Sequence, residues 1–196
     1  MWNYRTPGIP DEMFERNERV PITKEEVRVI ALSKARLNSG HTVIDVGCGS
    51  GSITVEAAMQ IAPNGNMYAI DQDEEAIKLT KENVSKFNVT NIEIIHSKAQ
   101  DAIGRLPNAD AIFIGGTAGD TYDIIKLVYN KLKSKGRVVI DTILIETMYH
   151  SLKAVDELNL ENVDVTQITV SKSRKVSTGT MMLARNPVVI ISAEKR

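Results

Sequence analysis

The chain has 196 residues, 42% of them hydrophobic, enough for one domain with a proper core and too few to suggest a second. Its 24 basic and 25 acidic residues nearly cancel, so no overall positive field gathers nucleic acid, and free RNA or DNA is disfavoured as substrate. The single cysteine, Cys48, excludes a disulfide framework within one chain and fits a reducing cytoplasm, and no apolar run approaches membrane-spanning length.

Residues 1–20 carry four acids and three arginines around no apolar centre, so no signal peptide is expected there. Residues 1–22 read as irregular, broken by Pro7, Gly8, Pro10 and Pro21. Thr23-Lys24-Glu25-Glu26 reads as a capping box, in which the Thr23 hydroxyl takes the Glu26 amide and Glu26 reaches back. The helix it opens places Val27, Ile30, Ala31 and Lys34–Leu37 at helical spacing, and Asn38-Ser39-Gly40 stops it. Strands are then predicted at about 42–46, 67–71, 92–96, 110–114 and 137–141. Helices are predicted at about 51–62, 73–88, 99–105, 120–132 and 146–158. Such alternation implies a doubly wound, mostly parallel sheet. The ending differs. Val163–Val170 and Thr180–Ile191 are extended runs joined by the polar stretch Ser171–Gly179, which suggests an antiparallel pair at one sheet edge. Pro187, inside the second run, calls for a bulge or an edge there.

The informative stretch is Val43-Ile-Asp-Val-Gly-Cys-Gly-Ser-Gly51, with Asp71 closing the next apolar run. A strand, a tight glycine turn and a helix form the first unit of a doubly wound sheet, whose ligands lie beyond the strands' carboxyl ends. A dinucleotide fingerprint wants a third glycine where Ser52 stands. Asp45, two places before Gly47, would repel a pyrophosphate but can pair with the ammonium of a methionine moiety. Asp71 can accept both hydroxyls of a ribose. Together these point to S-adenosylmethionine, and the pattern D-x-G-x-G-x-G with a distal strand-end Asp resembles the class I methyltransferases. That resemblance implies a seven-stranded, Rossmann-like α/β sheet with an antiparallel carboxyl-terminal strand pair, within one domain over 1–196.

Lys98 stands where class I enzymes often place an acid toward the adenine amino group. A lysine cannot accept that hydrogen bond, so the backbone at Ala99 is expected to hold the adenine edge, with Asp101 as a possible side-chain partner. Cys48 reads as a small side chain under a tight turn rather than a nucleophile. His41, His96 and His150 show no metal-ligand spacing, so no protein-bound metal is expected.

Gly115-Gly116-Thr117-Ala118-Gly119 after the fourth strand offers free amides and room for a flat substrate, and no Asn-Pro-Pro-aromatic string for base methylation stands there. With Gly8-Ile9-Pro10-Asp11-Glu12, Phe14, Val20-Pro21 and Thr23-x-x-Glu26-Val27-Arg28, the chain resembles the cobalt-precorrin-6B methyltransferases (decarboxylating) of anaerobic cobalamin synthesis. Tyr68-Ala69-Ile70-Asp71, Ile145-Glu146-Thr147, Gly179-Thr180-Met181-Met182 and Arg185-Asn186-Pro187-Val188 extend the match over nearly the whole chain. The resemblance implies methylation of carbon 15 of a cobalt-containing tetrapyrrole, with loss of carbon dioxide from a ring C acetate, giving cobalt-precorrin-7. It implies donor contacts from Thr23, Asp45, Gly47, Cys48, Gly49, Ser50, Gly51, Asp71 and Ala99, a place near the substrate for residues 1–22, and a homotetramer. Acidic arms on the substrate call for Arg or Lys donors, for which Arg5, Arg16, Arg19, Lys172, Arg174 and Lys175 are candidates, with Glu146 as a site-facing acid. No catalytic side chain is assigned. An RNA methyltransferase with the same core and a non-catalytic donor-binding subunit stand as alternatives, marked respectively by salt-sensitive tRNA binding and by failure to methylate any acceptor.

Overall fold

The computed structural model describes residues 2–117 and 119–196; Ala118, within the string quoted above, lies outside the described residues. The predicted alternation is found. In chain order the elements are α1 (Glu25–Ala35), β1 (Thr42–Val46), α2 (Ser52–Ile61), β2 (Asn66–Asp71), α3 (Glu74–Lys86), β3 (Ile92–His96), α4 (Ala99–Ala102) and β4 (Ala109–Ile114). There follow α5 (Thr121–Lys131), β5 (Leu132–Thr142), α6 (Ile145–Glu157), β6 (Glu161–Ile168), β7 (Ser171–Val176), β8 (Gly179–Ala184) and β9 (Val188–Glu194).

Seven strands form one sheet in the order β3-β2-β1-β4-β5-β9-β6. β3, β2, β1, β4 and β5 run parallel, while β9 lies antiparallel to both β5 and β6. Alternate residues of each central strand feed opposite faces, so both faces must be apolar. Ile44, Ile112 and Ile140 join Ile124, Ile125 and Ala154 of α5 and α6 in one core. Val43, Phe113 and Val139 join Val27 and Ala31 of α1 and Ile53 and Ala57 of α2 in the other.

Two details of the ending depart from expectation. Ser171–Gly179 is not a plain connection: β7 pairs with β8 as a separate two-stranded hairpin. The run Thr180–Ile191 breaks at Arg185-Asn186-Pro187, so Pro187 lies between β8 and β9 rather than on a bulged or edge strand. β7 and β8 are exposed on both faces, which removes the period-two signal that would have marked them. The antiparallel pair itself is β6 with β9, in register Thr166 with Ile190.

The start of α1 is also different. The Thr23 side chain makes no cap, and the residue preceding the helix is Lys24. The Glu25 amide donates instead to Asp11 Oδ1 at 2.9 Å. Asp11 sits in a single 3-10 turn, Asp11–Met13, within the otherwise irregular amino-terminal segment. A carboxylate brought in from the preceding segment displaces the local hydroxyl because it also pairs with Arg28, Nη1 to Oδ1 at 3.3 Å.

Arg28 is 0% exposed. Its Nε donates to Glu56 Oε1 at 2.6 Å, and its other nitrogens reach the carbonyls of Thr23 and Ile9. Glu56 in turn accepts the amides of Gly8 (2.7 Å) and Ile9 (3.0 Å). A buried Arg with two buried acids thus clamps residues 8–24 onto α1 and α2, while Ile9, Phe14 and Ile22 pack on Val55 and Phe87.

Candidate active site

The sheet order reverses between β1 and β4, the place where loops diverge and a crevice opens beyond the strand ends. A cavity of about 1100 Å³ lies there. Gly47, Cys48 and Gly49 after β1, Asp71 at the end of β2, Gly115–Thr117 after β4 and Asp141–Leu144 at the end of β5 and beyond it form its floor. Arg19–Lys24 and Ala184–Asn186 form its walls.

The glycine loop is held tightly from below. Gly47 and Cys48 both donate to the Ile70 carbonyl, at 2.9 and 3.1 Å. Gly47 has φ +74°, and a Cβ there would meet the Gly116 carbonyl oxygen at 2.6 Å, so a side chain would wedge β1 from β4. Gly51, at φ +75°, leaves no room for a Cβ, which would meet the Thr80 hydroxyl at 2.9 Å; that hydroxyl donates to the Gly49 carbonyl at 2.9 Å. Asp71 finishes the loop: Oδ2 accepts the Gly49 amide and Oδ1 the Asp73 amide, each at 2.9 Å. Its carboxylate faces the cavity with lone pairs remaining for a diol.

The nine residues singled out from the sequence separate into groups. Thr23, Gly47, Cys48, Gly49 and Asp71 line the main cavity. Ala99 lines a smaller pocket of about 50 Å³ together with Gly47, Asp71, Ser97 and Gly116. Ser50 and Gly51 lie beneath the loop, where the Ser50 carbonyl accepts Asn83 Nδ2 at 2.8 Å. Asp45 is 2% exposed and lies behind the loop, accepting the Thr54 hydroxyl at 2.6 Å. Asp101 and Lys98 are exposed and line neither pocket. Burial pushes the Cys48 thiol up, well away from thiolate chemistry. Among the described residues no three His, Cys, Asp or Glu side chains cluster as metal ligands.

Of the basic candidates, Arg19 alone lines the cavity, paired with Asp73 at 3.2 Å. Lys172 is engaged by Glu25 and Glu26, at 3.1 and 2.6 Å, and Arg174 and Lys175 are exposed on β7. Arg5 and Arg16 line no part of the cavity, nor does Glu146, which begins α6. Sequence reasoning missed Lys24 and Arg185, which do line it. Burial lowers the Lys24 pKa, and Arg185 reaches Asp11 Oδ2 at 3.5 Å. Arg185 had a signal, since it opens the Arg-Asn-Pro-Val string. Lys24 had none, because it sat inside an expected capping box.

Burial raises the Asp45 pKa to about 7 and that of Asp141 to about 6. The native state therefore holds these protons more tightly than the unfolded chain. Their stabilising effect is complete below the ordinary carboxylate value of 3.8 and is lost as pH rises toward 6 for Asp141 and 7 for Asp45. Asp45→Asn is accordingly expected to gain stability relative to the parent as pH rises from 4 to 7, by up to about 1.4 kcal/mol per pH unit, and then level off. Urea titrations of both proteins across that range, without ligand, check it; a difference independent of pH would mean that Asp45 is ionised throughout.

A family model described as a precorrin methyltransferase domain matches residues 12–195. A Saccharolobus solfataricus protein named "probable cobalt-precorrin-6B C(15)-methyltransferase (decarboxylating)" is 45% identical over 99% of this chain and 98% of its own length. A Thermoplasma acidophilum protein with the same name is 38% identical over 98% and 96%. Among solved structures, precorrin-6y C5,15-methyltransferase from Geobacter metallireducens superposes with TM-score 0.91 at 32% identity, covering 98% of this chain and 100% of that one. Precorrin 8W decarboxylase from Methanobacterium thermoautotrophicum gives 0.89 at 32%, covering 94% and 98%. A tRNA (m1A58) methyltransferase from Aquifex aeolicus, at TM-score 0.78 and 18% identity over 96% of this chain and 76% of that one, shares the fold alone. On these matches, which run almost from end to end, the chain belongs to the precorrin methyltransferase family.

Proposed function

We propose that this protein transfers a methyl group from S-adenosylmethionine to carbon 15 of cobalt-precorrin-6B and releases the ring C acetate carboxyl as carbon dioxide, giving cobalt-precorrin-7. The observation that carries this reading is the 45% identity to relatives of that name along nearly the full chain. The donor fits the site on a specific feature: the Gly47–Gly49 turn lines the cavity, and Asp71 faces it from the adjoining strand tip with lone pairs left for a diol. The donor supplies an electrophilic methyl on sulfur, so the protein's task is alignment and exclusion of water. In this reading Asp71 holds the ribose, Gly47, Cys48 and Gly49 cradle the amino-acid portion, Thr23 covers it, and Ala99 borders the base. Asp45, Ser50 and Gly51 act from behind by fixing the loop. Arg19, Lys24 and Arg185 supply the positive charge that acidic arms of a tetrapyrrole require.

The same reading includes a homotetramer and a cytoplasmic setting. Self-association is supported by exposed Val163 and Val165 on edge strand β6 and by Met181 and Met182 on β8; sedimentation velocity reads it out. Cys48 is free and buried, as a reducing compartment allows, and among the described residues no helix is long and apolar enough to cross a membrane. The activity is tested by incubating the purified protein with cobalt-precorrin-6B and S-adenosylmethionine, following product mass and carbon dioxide. Donor binding with neither product in that assay overturns the reading.

A further inference from the structure

Methylation and decarboxylation of the same macrocycle share one proton. Loss of carbon dioxide breaks the bond between the acetate methylene and its carboxyl carbon and leaves the electron pair in the conjugated ring system. The bond from carbon 15 to the methyl carbon forms as the carbon–sulfur bond breaks, and sulfur keeps that pair. Carbon 15, a bridge carbon, gives up its hydrogen as a proton, and the former acetate methylene gains one to become a methyl. One sulfonium charge and one carboxylate charge disappear together. The sum needs no oxidant, no reductant and no outside proton, only a group that carries a proton between two carbons of one substrate.

One side chain in the cavity suits that task. Val46, Ile114 and Ile140 are paired across β1, β4 and β5, so the next residues, Gly47, Gly115 and Asp141, stand level at the strand ends. The first two are glycines, which leaves Asp141 as the side chain of that row. It lines the cavity, and its Oδ1 is buried with no hydrogen-bond partner among the described residues. The other candidates are engaged. Both oxygens of Asp71 accept backbone amides, Asp73 is held by Arg19 and the Glu75 amide, and Asp45 is bonded to Thr54 away from the cavity. Its place on β5, beyond β4 from the glycine loop, puts it on the side left for the acceptor.

Resting on the proposed reaction, we infer that Asp141 is a catalytic residue: its carboxylate, at the cavity lining, takes the proton of carbon 15 and returns it to the former acetate methylene. Burial raises its pKa to about 6, so both protonation states are accessible near neutrality. The charged groups around it are Asp45 behind the loop, Asp71 and Asp73 across the cavity, and Arg19, Lys24 and Arg185 on the walls.

Asp141→Asn keeps the shape and loses the proton carrier. Because Oδ1 holds nothing in place among the described residues and the amide cannot ionise, the variant is expected to fold, with a melting temperature at neutral pH no lower than the parent's. Its affinity for S-adenosylmethionine, measured by calorimetry, should stay within about 3-fold of the parent, while kcat for conversion of cobalt-precorrin-6B falls by about 100-fold or more. Asp141→Glu, which retains a carboxyl, should recover part of that rate. A kcat within 3-fold of the parent overturns the inference, and so does a loss confined to donor affinity, which would assign Asp141 to the donor's ammonium. If Asp141→Asn is unstable, recovery by Asp141→Glu decides the matter, and a glutamate variant that binds donor and is as slow as Asp141→Ala counts against it. Failure of the parent protein to form either product would instead remove the proposed function.

Discussion

Arg28→Met is expected to destabilise the protein by about 3–5 kcal/mol, the range for leaving a buried charge without its partner. In a chain of this length that corresponds to roughly 6–20 °C in Tm. The size follows from what is stranded: Glu56, 2% exposed, loses the cation it pairs with, while Asp11, 4% exposed, keeps only the longer ionic contacts to Lys24 and Arg185 at 3.9 and 3.5 Å. The loss also reaches the site. Asp11 caps α1, Glu56 holds the amides of Gly8 and Ile9, and Arg28 holds the carbonyls of Ile9 and Thr23. Those contacts fix the segment whose far end, Val20–Lys24, walls the cavity. Urea denaturation and donor titration of the variant should therefore worsen together. Adding Glu56→Leu should restore little, since Glu56 also satisfies two backbone amides that leucine leaves bare. A destabilisation under 1 kcal/mol would mean that water reaches these groups.

Asp71→Ala is expected to weaken S-adenosylmethionine binding by about 1–3 kcal/mol, or 5- to 150-fold in Kd. Two losses combine. The ribose loses a charged acceptor, and the amides of Gly49 and Asp73 lose the oxygens that order the glycine loop. Asp71→Asn, which keeps one acceptor oxygen, should retain more affinity than Asp71→Ala. Calorimetry with S-adenosylmethionine or adenosylhomocysteine measures both variants, and unchanged affinity in Asp71→Ala would discard the ribose assignment.

The doubly wound core was legible because its signals are local. Each central strand is a short apolar run, each helix a 3.6-residue pattern, and the glycine turn needs no partner to be recognised. Thus β1, β2 and the Gly47–Gly51 loop lie where the sequence put them. Three features were hidden for one shared reason. Thr23 reads as a cap until Asp11, fourteen positions before Glu25, arrives to take its place. Arg28 reads as one more charge on a helix, yet its partners are 17 and 28 residues away. The β7–β8 hairpin carries no burial alternation because neither of its faces meets the core.

The amino-acid order alone therefore determined the α/β alternation, the glycine loop with its two acids, and through the motifs spread along the chain the family to which it belongs. Only the tertiary structure decided which charges are buried, which basic residues reach the cavity, and that Asp141 lines it while keeping a buried oxygen unpaired among the described residues. The reason is physical. Secondary structure and turns are set by neighbours within a few positions, whereas desolvation and charge pairing depend on groups that meet only after strands and segments far apart in sequence have packed.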